Sequence, residues 1–375
     1  MSKTFFIRTM GCQMNVADSD LVAQQLIERG FLLTENVNEA DIIIVNTCTV
    51  RQHAEARALS YIGDLKKLIL SATSATETLA DRESSADPHK PKSRKIIVMG
   101  CVASRLKDEL KKKFPFIDDV IPANEIEKVS EVLEKHYDCL TSNLSNKTFS
   151  EFVTITRGCS NFCSYCIVPY VRGPEESRPV IKILLDIEKL TNSGKHEITL
   201  LGQNVNSYNS NGTDFADLIL KINDISEINK LGFMTSHPKD MSDKIIDAIA
   251  SCEKIPHQIH LPLQSGSDKI LKLMNRHYTK EKYLTIIGKL KKKIPDVKFT
   301  TDIIVGFPDE TEKDFNDTLE IVKEVNFASA FTFKYSPREN TKAFFMKDDV
   351  PMSIKKERLA RLNALLKIES KKDVR

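Results

Sequence analysis

The chain has 375 residues, 41% of them hydrophobic, and balances 55 Lys and Arg against 52 Asp and Glu for a net charge of +3. That length supports two domains, each with its own core, while so mild a charge does not by itself indicate a nucleic-acid partner. No apolar run approaches the roughly 18 residues of a spanning helix, and the opening MSKTFFIRTM is too short and polar for a secretory signal. The expectation is a soluble cytoplasmic protein with no membrane association. The eight cysteines, several directly after apolar strands, fit reduced thiolates used in chemistry better than a disulfide framework.

In chain order, β-branched runs predict strands at 3–10, 41–47, 95–100 and 118–123. Helical patterns fall between and after them at 18–29, 54–70, 104–113 and 125–136. Such alternation predicts an α/β domain over residues 1–140 with an open parallel sheet. The polar stretch 71–94 reads as an insertion outside the core, and TSNLSNKTFS (141–150) as a linker. A second series begins at 151, with strands near 152–156, 196–201, 230–235, 257–263, 297–305 and 328–335. Six strand-helix units predict a partial (β/α)6 barrel over 151–345, with its chemistry at the C-terminal strand ends. An amphipathic stretch at 354–372 lies in a C-terminal helical extension, 346–375. The basic runs at 111–113 and 291–293 read as solvated helix ends.

The sharpest motif follows the first strand of the second series. RGCSNFCSYCIVPYVRG (157–173) spaces Cys159, Cys163 and Cys166 as C-x3-C-x2-C. Three thiolates can hold three irons of a cubane cluster and leave the fourth open for a small molecule. Zinc is the weaker assignment, because a zinc site usually takes a fourth Cys or His close by and no histidine lies between Cys139 and Cys166. The loop resembles the signature of the radical S-adenosylmethionine (SAM) superfamily. The resemblance implies a 4Fe-4S cluster whose open iron chelates SAM and whose electron cleaves it to a 5′-deoxyadenosyl radical. Later strand ends then supply candidate SAM contacts: Gln203 and Asn204 in LLGQNVNSY, Gln264 and Ser265 in LPLQSGS, Arg276 in MNRHYT, and Gly306 in TDIIVGFPDET, where backbone could approach adenine. The segment TSHP (235–238) ends another strand.

Cys12, Cys48 and Cys101 are far apart in sequence, yet each follows one of the first three predicted strands. A parallel sheet brings those strand ends to one edge, so the three thiols become neighbours. Cys139 and Cys252 lie outside this pattern and read as ordinary thiols.

With GCQMN, NTCTVR, GCVAS and YSPR added, the motifs from residue 10 to 338 resemble the methylthiotransferases, and among them the tRNA enzymes of the MiaB type. The resemblance implies a second 4Fe-4S cluster on Cys12, Cys48 and Cys101 that holds or donates sulfur. It also implies SAM as both methyl and radical source, and methylthiolation of C2 of N6-isopentenyladenosine at position 37 of tRNA. The partners implied are the tRNA anticodon loop and a flavodoxin- or ferredoxin-type electron donor, with the chain a monomer. Tyr170, Arg172 and Arg178 are candidate RNA contacts. Two alternatives stand beside this reading: methylthiolation of threonylcarbamoyladenosine at the same position, and a non-catalytic iron-sulfur electron carrier. The family usually ends in a small RNA-binding β-barrel where this sequence stops at Arg375, which predicts weaker tRNA binding than in a barrel-bearing relative.

Overall fold

The structure is a computed structural model that describes residues 3–50, 52–71, 94–134, 137 and 150–366. Most of the 71–94 insertion, nearly all of the 141–150 linker, Cys139 and the tail from 367 lie outside the described residues. Two compact units divide the chain: Met1–Ser150 with Tyr170–Arg172, and Glu151–Pro169 with Gly173–Arg375.

In the first unit the runs TFFIRTM, IIIVNT and KIIVMG become β1 (Thr4–Met10), β3 (Ile42–Thr47) and β4 (Lys95–Gly100). With β2 (Leu32–Leu33) and β5 (Asp119–Pro122) they form one parallel sheet in the order β2-β1-β3-β4-β5. Every residue of β3 and β4 is buried. The near-continuous apolar runs follow from that, since a strand covered on both faces has no polar side to show. Ile42, Ile44, Ile97 and Met99 pack on one face with Leu26 and Val129, while Ile43, Val45, Ile96 and Val98 pack on the other with Ile62 and Leu110. The covering helices are α1 (Gln13–Glu28), α2 (Gln52–Ser71), α3 (Cys101–Leu106), α4 (Asp108–Lys113) and α5 (Lys128–Glu134). Three details depart from the periodicity. Helix α1 starts five residues before the expected 18. The helix expected over 104–113 starts at Cys101 and is broken at Lys107, whose φ is +45°. The two-residue β2 is too short to leave a pattern.

The second unit carries β6 (Phe152–Thr154), β7 (Thr156–Arg157), α6 (Val168–Arg172, ending in the three residues grouped with the first unit), β8 (Glu176–Ser177), α7 (Val180–Asn192) and β9 (Glu197–Leu201). A small hairpin, β10 (Asn209–Ser210) and β11 (Thr213–Asp214), leads to α8 (Phe215–Asn223), β12 (Lys230–Phe233) and α9 (Asp243–Ser251). There follow β13 (Gln258–His260), α10 (Asp268–Leu273), α11 (Lys280–Lys293), β14 (Lys298–Val305), α12 (Glu312–Val325), β15 (Ser329–Lys334) and α13 (Met352–Leu365). The six expected strands run as two parallel three-stranded sheets, β6-β9-β12 and β13-β14-β15. The first expected strand is interrupted at Ile155, after which β7 pairs antiparallel with β8. Ile198, Leu200, Leu231, Ile259 and Phe299 meet Phe215, Tyr283 and Phe315 from the helices in one core. Helix α13 joins that core through Leu362, and its Arg358 donates to Glu310 at 2.8 Å. Among the described residues no helix is long and apolar enough to cross a membrane.

Candidate active site

The C-x3-C-x2-C loop is anchored within its own unit by the end of α10. Ser164 donates its N–H to the Met274 carbonyl at 3.0 Å and its hydroxyl to the Leu273 carbonyl at 2.8 Å. Asn275, at a left-handed φ of +58°, donates to the Phe162 carbonyl at 3.0 Å. Cys159 and Cys163 are buried, and Cys166 is partly covered. Burial, and then the Cys163 sulfur, push the Cys166 pKa up to about 12, and burial raises that of Cys159. Protons on Cys159 and Cys166 are therefore held until a metal displaces them.

Arg276 stands against this loop. Its Nη1 donates to the Cys163 sulfur at 3.4 Å, its Nη2 to the Pro262 carbonyl at 3.3 Å, and its Nε to the Tyr278 hydroxyl at 3.2 Å. The Tyr278 ring meets His237 edge-on, with centroids 5.7 Å apart. His237 and Asn206 exchange two hydrogen bonds, at 2.8 and 2.9 Å, and Asn204 donates to Asp240 at 2.7 Å. A continuous chain of contacts thus leads from the cysteine loop past the ends of β13, β12 and β9.

Along that chain lie five buried polar atoms with no hydrogen-bond partner among the described residues: Gln203 Oε1, Asn204 Oδ1, Ser236 Oγ, His237 Nε2 and Gln264 Oε1. Buried polar groups are ordinarily paired, so orphans gathered at successive strand ends mark where a ligand supplies the partners. Their chemistry is mixed. Burial, and then the charge of Arg276, hold the His237 pKa far below its usual range, so the ring is neutral. Because Nδ1 accepts the Lys239 N–H at 3.1 Å, the ring proton is assigned to Nε2, which becomes a donor. The Gln203, Asn204 and Gln264 oxygens are acceptors. A small molecule carrying a carboxylate, an ammonium and hydroxyls, as SAM does, satisfies both kinds. Ser236 and His237 lie in the quoted TSHP segment, but nothing in sequence distinguished a ligand-facing pair from a turn.

Two other expected contacts have roles in the fold. Ser265 is fully buried and accepts the Ser267 N–H at 3.2 Å. Gly306 has φ +71°, donates its N–H to Glu310 at 2.6 Å, and leaves no room for a side chain, since a Cβ would lie 2.4 Å from Lys355 Cγ. Of the proposed RNA contacts, Arg178 is held by the Thr154 carbonyl and Asp186, Arg172 is buried, and Tyr170 is exposed. A guanidinium sealed from water offers no face to a nucleotide, which corrects the expectation for Arg172. Cys252 packs in the apolar core, as an ordinary thiol does.

In the first unit, Cys12 ends the turn after β1 and precedes α1, Cys48 follows β3, and Cys101 opens α3 after β4. Cys12 and Cys48 act on each other as neighbours, the Cys12 pKa being lowered and that of Cys48 raised by their interaction. Burial raises Cys101, which also feels the charge of Cys12. Asn15 fixes this edge: its Oδ1 accepts the Cys12 N–H at 3.2 Å, and its Nδ2 donates to Asn46 at 2.9 Å and to the Thr47 carbonyl at 3.1 Å. Asn46 in turn donates to the Asn15 carbonyl at 2.8 Å and Ser19 at 3.0 Å. This network explains the early start of α1, because its first turn is held by strand ends rather than by apolar periodicity. Among the described residues no three His, Cys, Asp or Glu side chains are set to hold a single metal ion. A cubane cluster, which spreads its thiolates over separate irons, makes a different demand on spacing.

A cysteine-bearing loop beside β6 at the C-terminal edge of a partial parallel barrel defines the radical SAM class, and the Radical SAM superfamily model matches residues 153–322. The model of Uncharacterized protein family UPF0004 matches residues 4–122. In fold the chain is similar to the radical S-adenosylmethionine methyltransferase TsrM from Kitasatospora setae, with a TM-score of 0.65 at 11% identity over 92% of this chain and 77% of that one. It is similar also to the cobalamin-dependent SAM radical enzyme OxsB, with a TM-score of 0.59 at 12% identity over 98% of this chain and 56% of that one. Sequence likeness is far stronger to two tRNA-2-methylthio-N(6)-dimethylallyladenosine synthases. That of Clostridium botulinum strain Langeland is 46% identical over 96% of this chain and 80% of its own length. That of Caldicellulosiruptor saccharolyticus is 45% identical over 97% and 78%. The chain belongs to the tRNA-2-methylthio-N(6)-dimethylallyladenosine synthase family of radical SAM methylthiotransferases. Membership brings one 4Fe-4S cluster and SAM as cofactors.

Proposed function

We infer that this chain methylthiolates C2 of N6-isopentenyladenosine at position 37 of tRNA. The observation that carries the reading is 43–46% identity to synthases of that name over nearly the whole chain. Cys159, Cys163 and Cys166 would hold the cluster that binds SAM, and Cys12, Cys48 and Cys101 a second one. The strand-end placement of both sets supports this assignment. Gln203, Asn204, Ser236, His237 and Gln264 would bind SAM, which their orphaned polar atoms support. When bound, the cluster and SAM together supply hydrogen-atom abstraction, the chemistry an unactivated aromatic C–H bond requires.

The chain's own residues orient and shelter. Arg276 fixes Cys163 and the Pro262 carbonyl together, Asn275 pins the loop, and the neutral His237 keeps a donor proton at Nε2 without adding charge. Burial of this polar set keeps water from a reactive centre. The domain division 1–140, 141–150, 151–345 and 346–375 belongs to the same reading. The reaction consumes electrons from outside the chain, which supports a flavodoxin- or ferredoxin-type donor. Both cysteine sets lie in one chain, which supports a monomer, and the anticodon loop of tRNA as substrate supports a cytoplasmic site.

Nucleoside mass analysis tests the reading. In tRNA from a strain lacking the gene, 2-methylthio-N6-isopentenyladenosine gives way to N6-isopentenyladenosine, and this chain restores it while the Cys12→Ala and Cys159→Ala variants do not. Restoration by either variant overturns the assignment of that cysteine. Failure of the unaltered chain to restore the nucleoside overturns the activity.

A further inference from the structure

Asp18 on α1 and Arg172, both grouped with the first unit, are almost completely buried and joined from Nη2 to Oδ2 at 2.9 Å. Taking two charges out of water is expensive, and a neutral pair of the same size would serve the packing as well. The charges must therefore be asked for another use. The Arg172 guanidinium acts on both Cys101 and Cys12, drawing each thiol's pKa down. Asp18 holds the guanidinium in place beside this cysteine-bearing edge. The second unit repeats the device with Arg276 on Cys163.

We propose that Arg172, oriented by Asp18, is a positioning residue that sets the reduction potential of the cluster held by Cys12, Cys48 and Cys101. Three thiolates on a cubane core leave it net negative, and reduction adds one more negative charge. A fixed cation at the sulfurs stabilises the reduced form and raises the potential. The Asp18 carboxylate keeps the guanidinium in place and moderates its effect. The inference rests on the assignment of the three first-unit cysteines as cluster ligands.

The test uses the full chain with Cys159, Cys163 and Cys166 changed to Ala, reconstituted anaerobically. About four irons per chain report the first-unit cluster, and their absence in this parent would refute the ligand assignment itself. In the same background, the double variant Arg172→Gln/Asp18→Asn removes both charges without stranding either. Its cluster, at unchanged iron content, is expected to have a more negative midpoint potential in an EPR-monitored titration. Arg172→Lys, which keeps the charge, should move the potential less. A potential equal to the parent's in the double variant, or equal shifts in the double variant and Arg172→Lys, overturns the proposal.

Discussion

Arg276 ties the Cys163 sulfur to the Pro262 carbonyl through two nitrogens of one buried guanidinium, at 3.4 and 3.3 Å. The planar fork sets where the cysteine loop sits relative to the backbone that leads to Gln264. Arg276→Met should lower reductive SAM cleavage by about 10–100-fold. Arg276→Lys should recover little, because an ammonium cannot reproduce the fork. The yield of 5′-deoxyadenosine per chain under reductant reads both variants, and wild-type yield in Arg276→Met would remove the residue from the site.

Gln264 is held at φ +64° by backbone hydrogen bonds to Asp302 and Ile304, so its placement survives a change of side chain. Its Oε1 has no described partner. An unsatisfied buried acceptor costs about 1–3 kcal/mol. Gln264→Met, similar in shape and without that acceptor, should therefore raise the melting temperature of the SAM-free protein while weakening SAM binding about tenfold, a change of ~1.4 kcal/mol. Calorimetry in both modes checks the pair of effects. Lower stability together with unchanged affinity would show that the oxygen is paired within the protein.

The loop carrying Gln264 is braced by Asp314, which accepts Ser267 Oγ at 2.7 Å, Thr311 N at 2.9 Å and Thr311 Oγ1 at 2.6 Å. Burial by itself raises the Asp314 pKa, but the hydrogen bonds from Ser267 and Thr311 outweigh it and bring the value to about 2. A carboxyl whose folded pKa lies below its unfolded value stabilises the fold above the unfolded pKa. That contribution is lost as pH falls through the folded one. The shift corresponds to about 2 kcal/mol, fully present above about pH 4 and gone near pH 2. Asp314→Asn should thus be less stable at neutral pH and show a flatter acid limb over that window. Parallel acid limbs for wild type and variant would sink the prediction.

The two cysteine sites were legible in sequence for different reasons. Cys159, Cys163 and Cys166 declare themselves by spacing, whereas Cys12, Cys48 and Cys101 emerge only once strand order is known. Parallel topology supplied that order because β1, β3 and β4 are nearly uninterrupted apolar runs. The residues that finish each site left no such mark. Asn15 sits in a polar opening turn that periodicity assigns to no helix, Asp18 is merely the first residue of the helix expected over 18–29, and Arg172 reads like any loop arginine until its burial is seen. His237 was invisible for the same reason: a histidine in TSHP gains meaning only from its Tyr278 contact and its orphaned Nε2. Gly306 carries a demand that its motif does not reveal. Its freedom of backbone serves a left-handed turn and the approach of Lys355, demands of the fold that sequence cannot separate from those of a ligand.

Gly11, beside Cys12, lets two strand ends approach closely. A Cβ built there would lie 2.2 Å from Asn15 Oδ1 and 2.9 Å from Cys48 Cβ. The Asn15 amide cannot simply turn aside, because Asn46 and the Thr47 carbonyl hold its nitrogen. Gly11→Ala should therefore push Cys48 away from Cys12 at an overpacking cost of about 1–3 kcal/mol. Reconstituted iron is expected to drop from about eight to about four per chain, while 5′-deoxyadenosine formation at the Cys159, Cys163 and Cys166 site persists. Adding Asn15→Ala separates the two collisions, since it removes the amide but leaves Cys48 Cβ in the way. The iron should stay near four in Gly11→Ala/Asn15→Ala. A return to about eight would place the constraint on Asn15 alone, and full iron in Gly11→Ala would show that the approach of these strand ends is not needed to build the first-unit site.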